Sequence, residues 1–177
     1  MLGALVVAVL AGCAASPVPV PTPSPTDAAA PLFASDEEAL AAAEAAYAAY
    51  LAASDAMLAD GGRSPNAMRS FAIGQALEYE LTGAADFLAR NLRATGETRF
   101  STYRLQSVRS SELWAVEVGL YVCDDLSDVD LVDAVGESQA LPNRPVHIPY
   151  FISIVGDVQS GLRVAEKTLW EEGSFCS

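Results

Sequence analysis

From Cys123 to Asp133 the sequence reads CDDLSDVDLVD, which sets five carboxylates, Asp124, Asp125, Asp128, Asp130 and Asp133, within eleven residues. Carboxylates this dense bind calcium when loop geometry turns them onto one point. The spacing does not follow the twelve-residue helix–loop–helix calcium loop, and no glycine stands at its turn position. The run reads as a solvated loop and strand edge, with calcium at Asp124, Asp125, Asp128 and Asp130 as the alternative. His147 is the sole histidine, so neither a multi-histidine zinc site nor a defensible Ser-His-Asp order can be built around it. Its neighbours Val146 and Ile148 belong to the opposite strand face, which predicts a rim or solvent position. The pair Gly61-Gly62 ends a helical stretch rather than following a strand, so it is not a phosphate loop. No cofactor is implied. The net charge of −13, from 23 acids and 10 bases, argues against nucleic acid and against electrostatic adhesion to anionic lipid, both of which need clustered Lys and Arg.

These side chains need elements to hold them. The stretch FASDEEALAAAEAAYAAYLAASDAMLADGG predicts one long helix of about 25 residues, because Leu40, Tyr47, Tyr50, Leu51, Met57 and Leu58 recur at helical spacing. Ser35 with Glu38 makes a capping box, Asp36, Glu37 and Glu38 suit the positive helix end, and Gly61-Gly62 stops it. Shorter helices are predicted at roughly Pro65–Ser70, Gly74–Thr82 and Ala84–Arg93, and Gly96 closes the helical half. Beyond it the period changes to two. TRFSTYRLQSVRS alternates. ELWAVEVGLYVCDD turns Trp114, Val116, Val118, Leu120 and Val122 one way. DVDLVD is a short strand, VHIPYFISIVG aligns Val146, Ile148, Tyr150, Ile152 and Ile154, and GLRVAEKTLWEEG is the last strand. Pro149 predicts an edge or a bulge. Helices followed by four to five strands make an α+β domain over 35–177, with the helices on one face of an antiparallel sheet.

The N-terminus carries an address. Leu2–Leu10 is apolar and uncharged, too short to span a bilayer but of signal-peptide length. A basic segment normally precedes such a run, so a start upstream of Met1 is expected. Leu10-Ala11-Gly12-Cys13 resembles the lipobox of bacterial lipoproteins. In that family the cysteine is lipidated and becomes the mature N-terminus. The resemblance implies a signal peptide over 1–12, a lipid on Cys13, and an extracytoplasmic, membrane-anchored location. Pro17, Pro19, Pro21, Pro23, Pro25 and Pro31 then exclude helix and sheet interior. Residues 13–34 thus read as a polyproline tether reaching roughly 60 Å. With Cys13 lipidated, Cys123 and Cys176 remain as an even pair in an exported chain, and a disulfide is expected between them.

A long N-terminal helix laid on a curved antiparallel sheet resembles the NTF2-like (cystatin-like) superfamily. More closely, the lipobox, the Pro-rich tract, EEALAAAEAAYAAYLAASDAMLADGG, YVCDDLSDVDLVD and LWEEGSFC are similar to uncharacterised actinobacterial cell-envelope lipoproteins. The first resemblance implies a helix–sheet cavity, for which Tyr47, Tyr50, Tyr79, Tyr121 and Glu117 are the candidate lining. Enzymes of this fold need a carboxylate base and a tyrosine or acid donor there. It also implies a homodimer through sheet faces. Strand alternation nonetheless sets Glu117 opposite the Trp114/Val116/Val118 face, and the helix tyrosines suit a core position. The reading is a non-catalytic binding domain for an envelope protein, a peptidoglycan fragment or a small molecule. An NTF2-like enzyme or apolar-ligand carrier is the alternative. Growth with radioactive palmitate should label the wild-type chain and not Cys13→Ala; label retained in the variant overturns the lipobox reading.

Overall fold

The computed structural model describes residues 33–157, 160–172 and 175–176. The chain divides into Met1–Ala30, which lies outside them, and a unit Pro31–Ser177; the expectations on Leu2–Leu10, Cys13 and most of the proline tract therefore fall outside the described residues.

Helix α1, Asp36–Ala59, begins where Ser35 accepts the Glu38 N–H at 3.3 Å. The Glu38 carboxylate reaches one residue further back than a capping box requires, to the Ala34 N–H at 2.7 Å. The helix ends on Gly61 and Gly62, both at positive φ. A Cβ on Gly62 would stand 2.1 Å from the Ala84 carbonyl oxygen, so only glycine lets the turn pass the next helix. Pro65–Ser70 is a single 3₁₀ run. Helix α2 spans Gly74–Arg90 without interruption. The two pieces expected at Gly74–Thr82 and Ala84–Arg93 are thus one helix: a lone Gly83 costs only about 1 kcal/mol, less than the packing of its neighbours supplies. It stops at Asn91, which adopts the left-handed conformation, and Arg93 already belongs to strand β1, Arg93–Thr95.

The fold is α+β. Strands β2 (Arg99–Arg109), β3 (Val116–Asp125), β5 (His147–Asp157) and β6 (Gly161–Leu169) form an antiparallel sheet in the order β2-β3-β5-β6. Strand β4, Asp130–Val132, pairs with β1 in a separate two-stranded ribbon. Pro149 lies in a central strand, not at the edge that its missing N–H suggested. It stands beyond the last β5–β6 register pair, Tyr150↔Leu169, where the Trp170 N–H returns to its carbonyl at 2.9 Å. Its lack of a donor therefore removes no ladder bond within β6.

The inner sheet face carries Val116, Val118, Leu120, Val122, Ile152, Ile154 and Val164, all buried. Against it pack Ala39, Ala43, Tyr47, Tyr50, Leu51 and Met57 of α1, with Met68, Ala72, Ala76 and Ala84. Alanines at the contact let the helices lie close while the two tyrosines fill the depth. Trp114 falls before β3 and is only half-buried, so it does not extend that face as its period implied. The β6 edge is covered: Val164 exchanges backbone bonds of 2.9 Å with Phe71 and Ile73.

Cys123 and Cys176 are bridged, with 5.5 Å between their Cα atoms. The bridge fastens the chain terminus to the outer sheet face, where Phe175 meets Tyr103 and Tyr121 and Trp170 meets Tyr121. Closing a loop of 53 residues restricts the unfolded chain by about 4 kcal/mol. Cys123→Ala/Cys176→Ala should accordingly melt on the order of 10 °C lower, and denatured wild-type chain should show no free thiol at either position. Two titratable thiols would refute the bridge.

Candidate functional site

Strand alternation places Asp124 in phase with Val116, Val118, Leu120 and Val122, on the face that turns inward. It is 2% exposed. A carboxylate removed from water in this way needs donors and a counter-charge. The Tyr47 hydroxyl donates to its two oxygens at 2.8 and 3.0 Å, and Lys167 Nζ approaches Oδ2 at 2.7 Å. Lys167 is the sole lysine of the chain, and its ammonium lies over the Tyr150 ring at 4.6 Å and the Tyr47 and Tyr50 rings at 5.6 Å. A second buried carboxylate, Glu80 of α2, accepts from the Tyr50 hydroxyl and from Ser54 Oγ at 2.8 Å. Tyr47 and Tyr50 stack with 5.7 Å between ring centres, and Phe100 closes edge-on against Tyr47 at 4.9 Å.

Burial, reinforced by Asp124, pushes the Tyr47 phenol well above its ordinary range, and burial with Glu80 does the same to Tyr50. Both phenols therefore stay as donors to the carboxylates. Tyr150 is raised by burial and by neighbouring Tyr79, Asp124 and Glu80. The Tyr47, Tyr50, Ser54 and Lys167 donors are each turned onto Asp124 or Glu80, an arrangement that holds helices to sheet.

Of the expected cavity lining, the structure brings only Tyr47 and Tyr50 together. Glu117 and Tyr121 lie on the outer face. Glu117 pairs with Arg109 at 2.5 Å and accepts from Ser153 at 3.3 Å; the Arg109 hydrogen bond holds its carboxyl below the usual range. Tyr121 packs against Phe151, Trp170 and Phe175 with Arg104 over its ring at 5.1 Å. Tyr79 is exposed.

The aspartates also separate. Asp124 is core, contrary to the solvated run expected of it, because the strand continues through it. Asp125 accepts from the Ser127 N–H at 2.9 Å and Arg99 at 3.2 Å, and these bonds hold its carboxyl down at about 2. Asp128 takes the other arm of Arg99. Asp130 accepts from Ser138 at 2.7 Å, and Asp133 organises a turn through the Val135 and Glu137 N–H groups at 3.0 Å. Among the described residues no three side chains of the metal-ligating types converge. His147 is exposed, 3.5 Å from Asp125, in a cleft of about 300 Å³ beside the disulfide.

Glu80, Ser54, Tyr150 and Lys167 are the members that sequence reasoning missed. Glu80 had a signal, since it stands four residues from both Ala76 and Ala84 and shares their buried stripe. The larger open spaces lie elsewhere. Two grooves of about 660 and 710 Å³ flank the alanine-rich outer side of α1, one floored by Thr98, Arg99 and Phe100 and the other by Ala67 and Phe71. Neither is lined by Asp124, Glu80 or Lys167. No helix among the described residues is long and apolar enough to cross a membrane.

No family model matches the chain, and no curated protein matches it. Among solved structures it is similar to the intermembrane-space region of the chloroplast protein ARC6, at 14% identity over 73% of this chain and 95% of that one, with a TM-score of 0.45. Likeness at that level leaves the function to be argued from this chain's own residues.

The phenol shifts have a sign. A tyrosine whose folded pKa lies above its unfolded value contributes stability below about pH 10 that is lost as the pH rises further. Melting temperature should therefore fall above pH 10, and less steeply in Tyr50→Phe. At pH 7 the same variant should lose about 1–3 kcal/mol, because Glu80 is left short of a donor. An unchanged alkaline slope would remove Tyr50 from that account.

Proposed function

We propose that the chain is a lipid-anchored extracytoplasmic protein whose folded part is a non-catalytic, NTF2-like binding module held off the membrane by a proline tether. The observation that carries this reading is the filled interior. Where an enzyme or carrier of this architecture would hold its ligand, Tyr47, Tyr50, Ser54 and Lys167 are turned onto Asp124 and Glu80. A functional pocket is typically 300 Å³ or more with a few unsatisfied polar groups aimed into it, whereas the larger spaces here open on the outside of α1. A long helix across the inner face of an antiparallel sheet supports the NTF2-like assignment. The Leu10–Cys13 motif supports the anchor, and the Cys123–Cys176 bridge suits an oxidising compartment.

Protease added outside intact cells or spheroplasts should remove the domain, and Cys13→Ala should shift it from the membrane fraction to the soluble one. Protection from external protease overturns the location. A small apolar probe such as an anilinonaphthalene dye should leave the NMR signals of Tyr47 and Tyr50 unmoved; saturable shifts at both would restore the cavity reading of enzyme or carrier.

A further inference from the structure

The outer face of the sheet is built differently from the inner one. In β2 the register with β3 slips twice, between Thr102 and Arg104 and between Leu105 and Ser107. Each slip inserts one residue that has no partner, and a bulge of this kind re-aims side chains. The first turns both Tyr103 and Arg104 outward: Tyr103 stacks on Phe175 at 4.7 Å, and Arg104 lies over Tyr121. The second brings Gln106 and Ser107 together over Gly119, where an added Cβ would stand 2.6 Å from Gln106 Oε1 and 2.9 Å from Ser107 Oγ. Regular alternation would have sent one residue of each pair inward. The result is a surface of rings, an amide, a hydroxyl and a guanidinium, with Tyr103 58% exposed.

Arg109 and Glu117 pair on this face, but two other arginines on it have no carboxylate partner among the described residues. Arg63, Arg90, Arg99, Arg109 and Lys167 each have a carboxylate partner. In a chain with 23 acids, Arg104 has no carboxylate partner among the described residues. Neither has Arg163, which pairs across β5 with Val155 in the row of Glu117 and so shares the outer face. The Arg163 Nε is buried without a hydrogen-bond partner.

We propose, on the basis of the binding-module reading, that this face binds an acidic saccharide. The C–H faces of its sugar rings rest on the Tyr103 and Phe175 side, its hydroxyls meet Gln106 and Ser107, and its carboxylate meets Arg104. An exposed guanidinium with no carboxylate partner among the described residues, on a face of a domain this acidic, suits a ligand with sparse negative charge, since a polyanion would be repelled. The choice of sugar over peptide rests on two features. Rings and polar groups, rather than aliphatic side chains, make up the surface around Arg104. A peptide strand adding to the β2 edge would meet a ladder broken twice, at Tyr103 and Gln106.

The test uses the full anchored chain in detergent micelles, titrated with the disaccharide of N-acetylglucosamine and N-acetylmuramic acid. Its neutral counterpart is diacetylchitobiose, and hexaglutamate is the peptide control. The acidic disaccharide should bind at least tenfold more tightly than the neutral one, as a charge-assisted hydrogen bond implies. Arg104→Gln should erase that difference. Tyr103→Ala should weaken both sugars about tenfold. Both substitutions are at exposed positions, so unchanged melting temperatures will confirm that the variants are folded. Ala52→Glu, on the outside of α1, should bind like wild type. The proposal is overturned if neither sugar binds at millimolar concentration, if hexaglutamate binds as tightly as the acidic disaccharide, or if Ala52→Glu abolishes sugar binding. The anchored-module reading is tested separately by external protease, and it stands if only the sugar fails.

Discussion

A carboxylate buried on the inner sheet face, near the end of a central strand, is the constraint around which this domain is arranged. Asp124 continues the inward series of β3 and is removed from water, which is unfavourable by several kcal/mol unless donors and a counter-charge replace the lost hydration. Tyr47 comes from α1 and Lys167 from β6, so meeting the needs of one side chain fixes the long helix over the sheet and the last strand beside it. Glu80 repeats the device between the two helices, through Tyr50 and Ser54. Alanines at Ala39, Ala43, Ala46 and Ala53 let the helix sit close enough for the tyrosine hydroxyls to reach.

Inside, the Tyr47, Tyr50, Ser54 and Lys167 donors are turned onto Asp124 and Glu80. The outer sheet face is different because β2 is irregular. Two bulges on an edge strand curve it, break the row of backbone groups that would otherwise invite strand pairing, and put consecutive side chains on one side. The disulfide then carries Phe175 onto that face, so the terminus contributes to a surface far from it in sequence.

Much of the architecture was legible in local pattern. The capped helix from Asp36, its stop at Gly61-Gly62, the strands after Gly96 and the pairing of Cys123 with Cys176 follow from periodicity, capping chemistry and cysteine arithmetic. The errors have local causes as well. Gly83 looked like a break, but one glycine is a small term beside the packing of a continuous helix. Asp124 looked solvated because its neighbours in sequence are acidic, although the strand period already pointed it inward.

Sequence alone determined which segments are helix and strand, which faces are apolar, and that the N-terminal run resembles a lipobox before a proline tract, because these depend on residues within a few positions of one another. Only the tertiary structure decided where the charges went. Lys167 pairs with Ile152 on the inner face, and Val164 pairs with Ile154 on the same face three residues earlier, an odd spacing that regular alternation forbids. A register shift between Ser153 and Ile154 supplies the extra residue. Without it the lysine would point to solvent and Asp124 would have no counter-charge. The bulges that expose Tyr103 with Arg104 are of the same kind: a strand's register is set by its partner, and the partner is chosen by the fold.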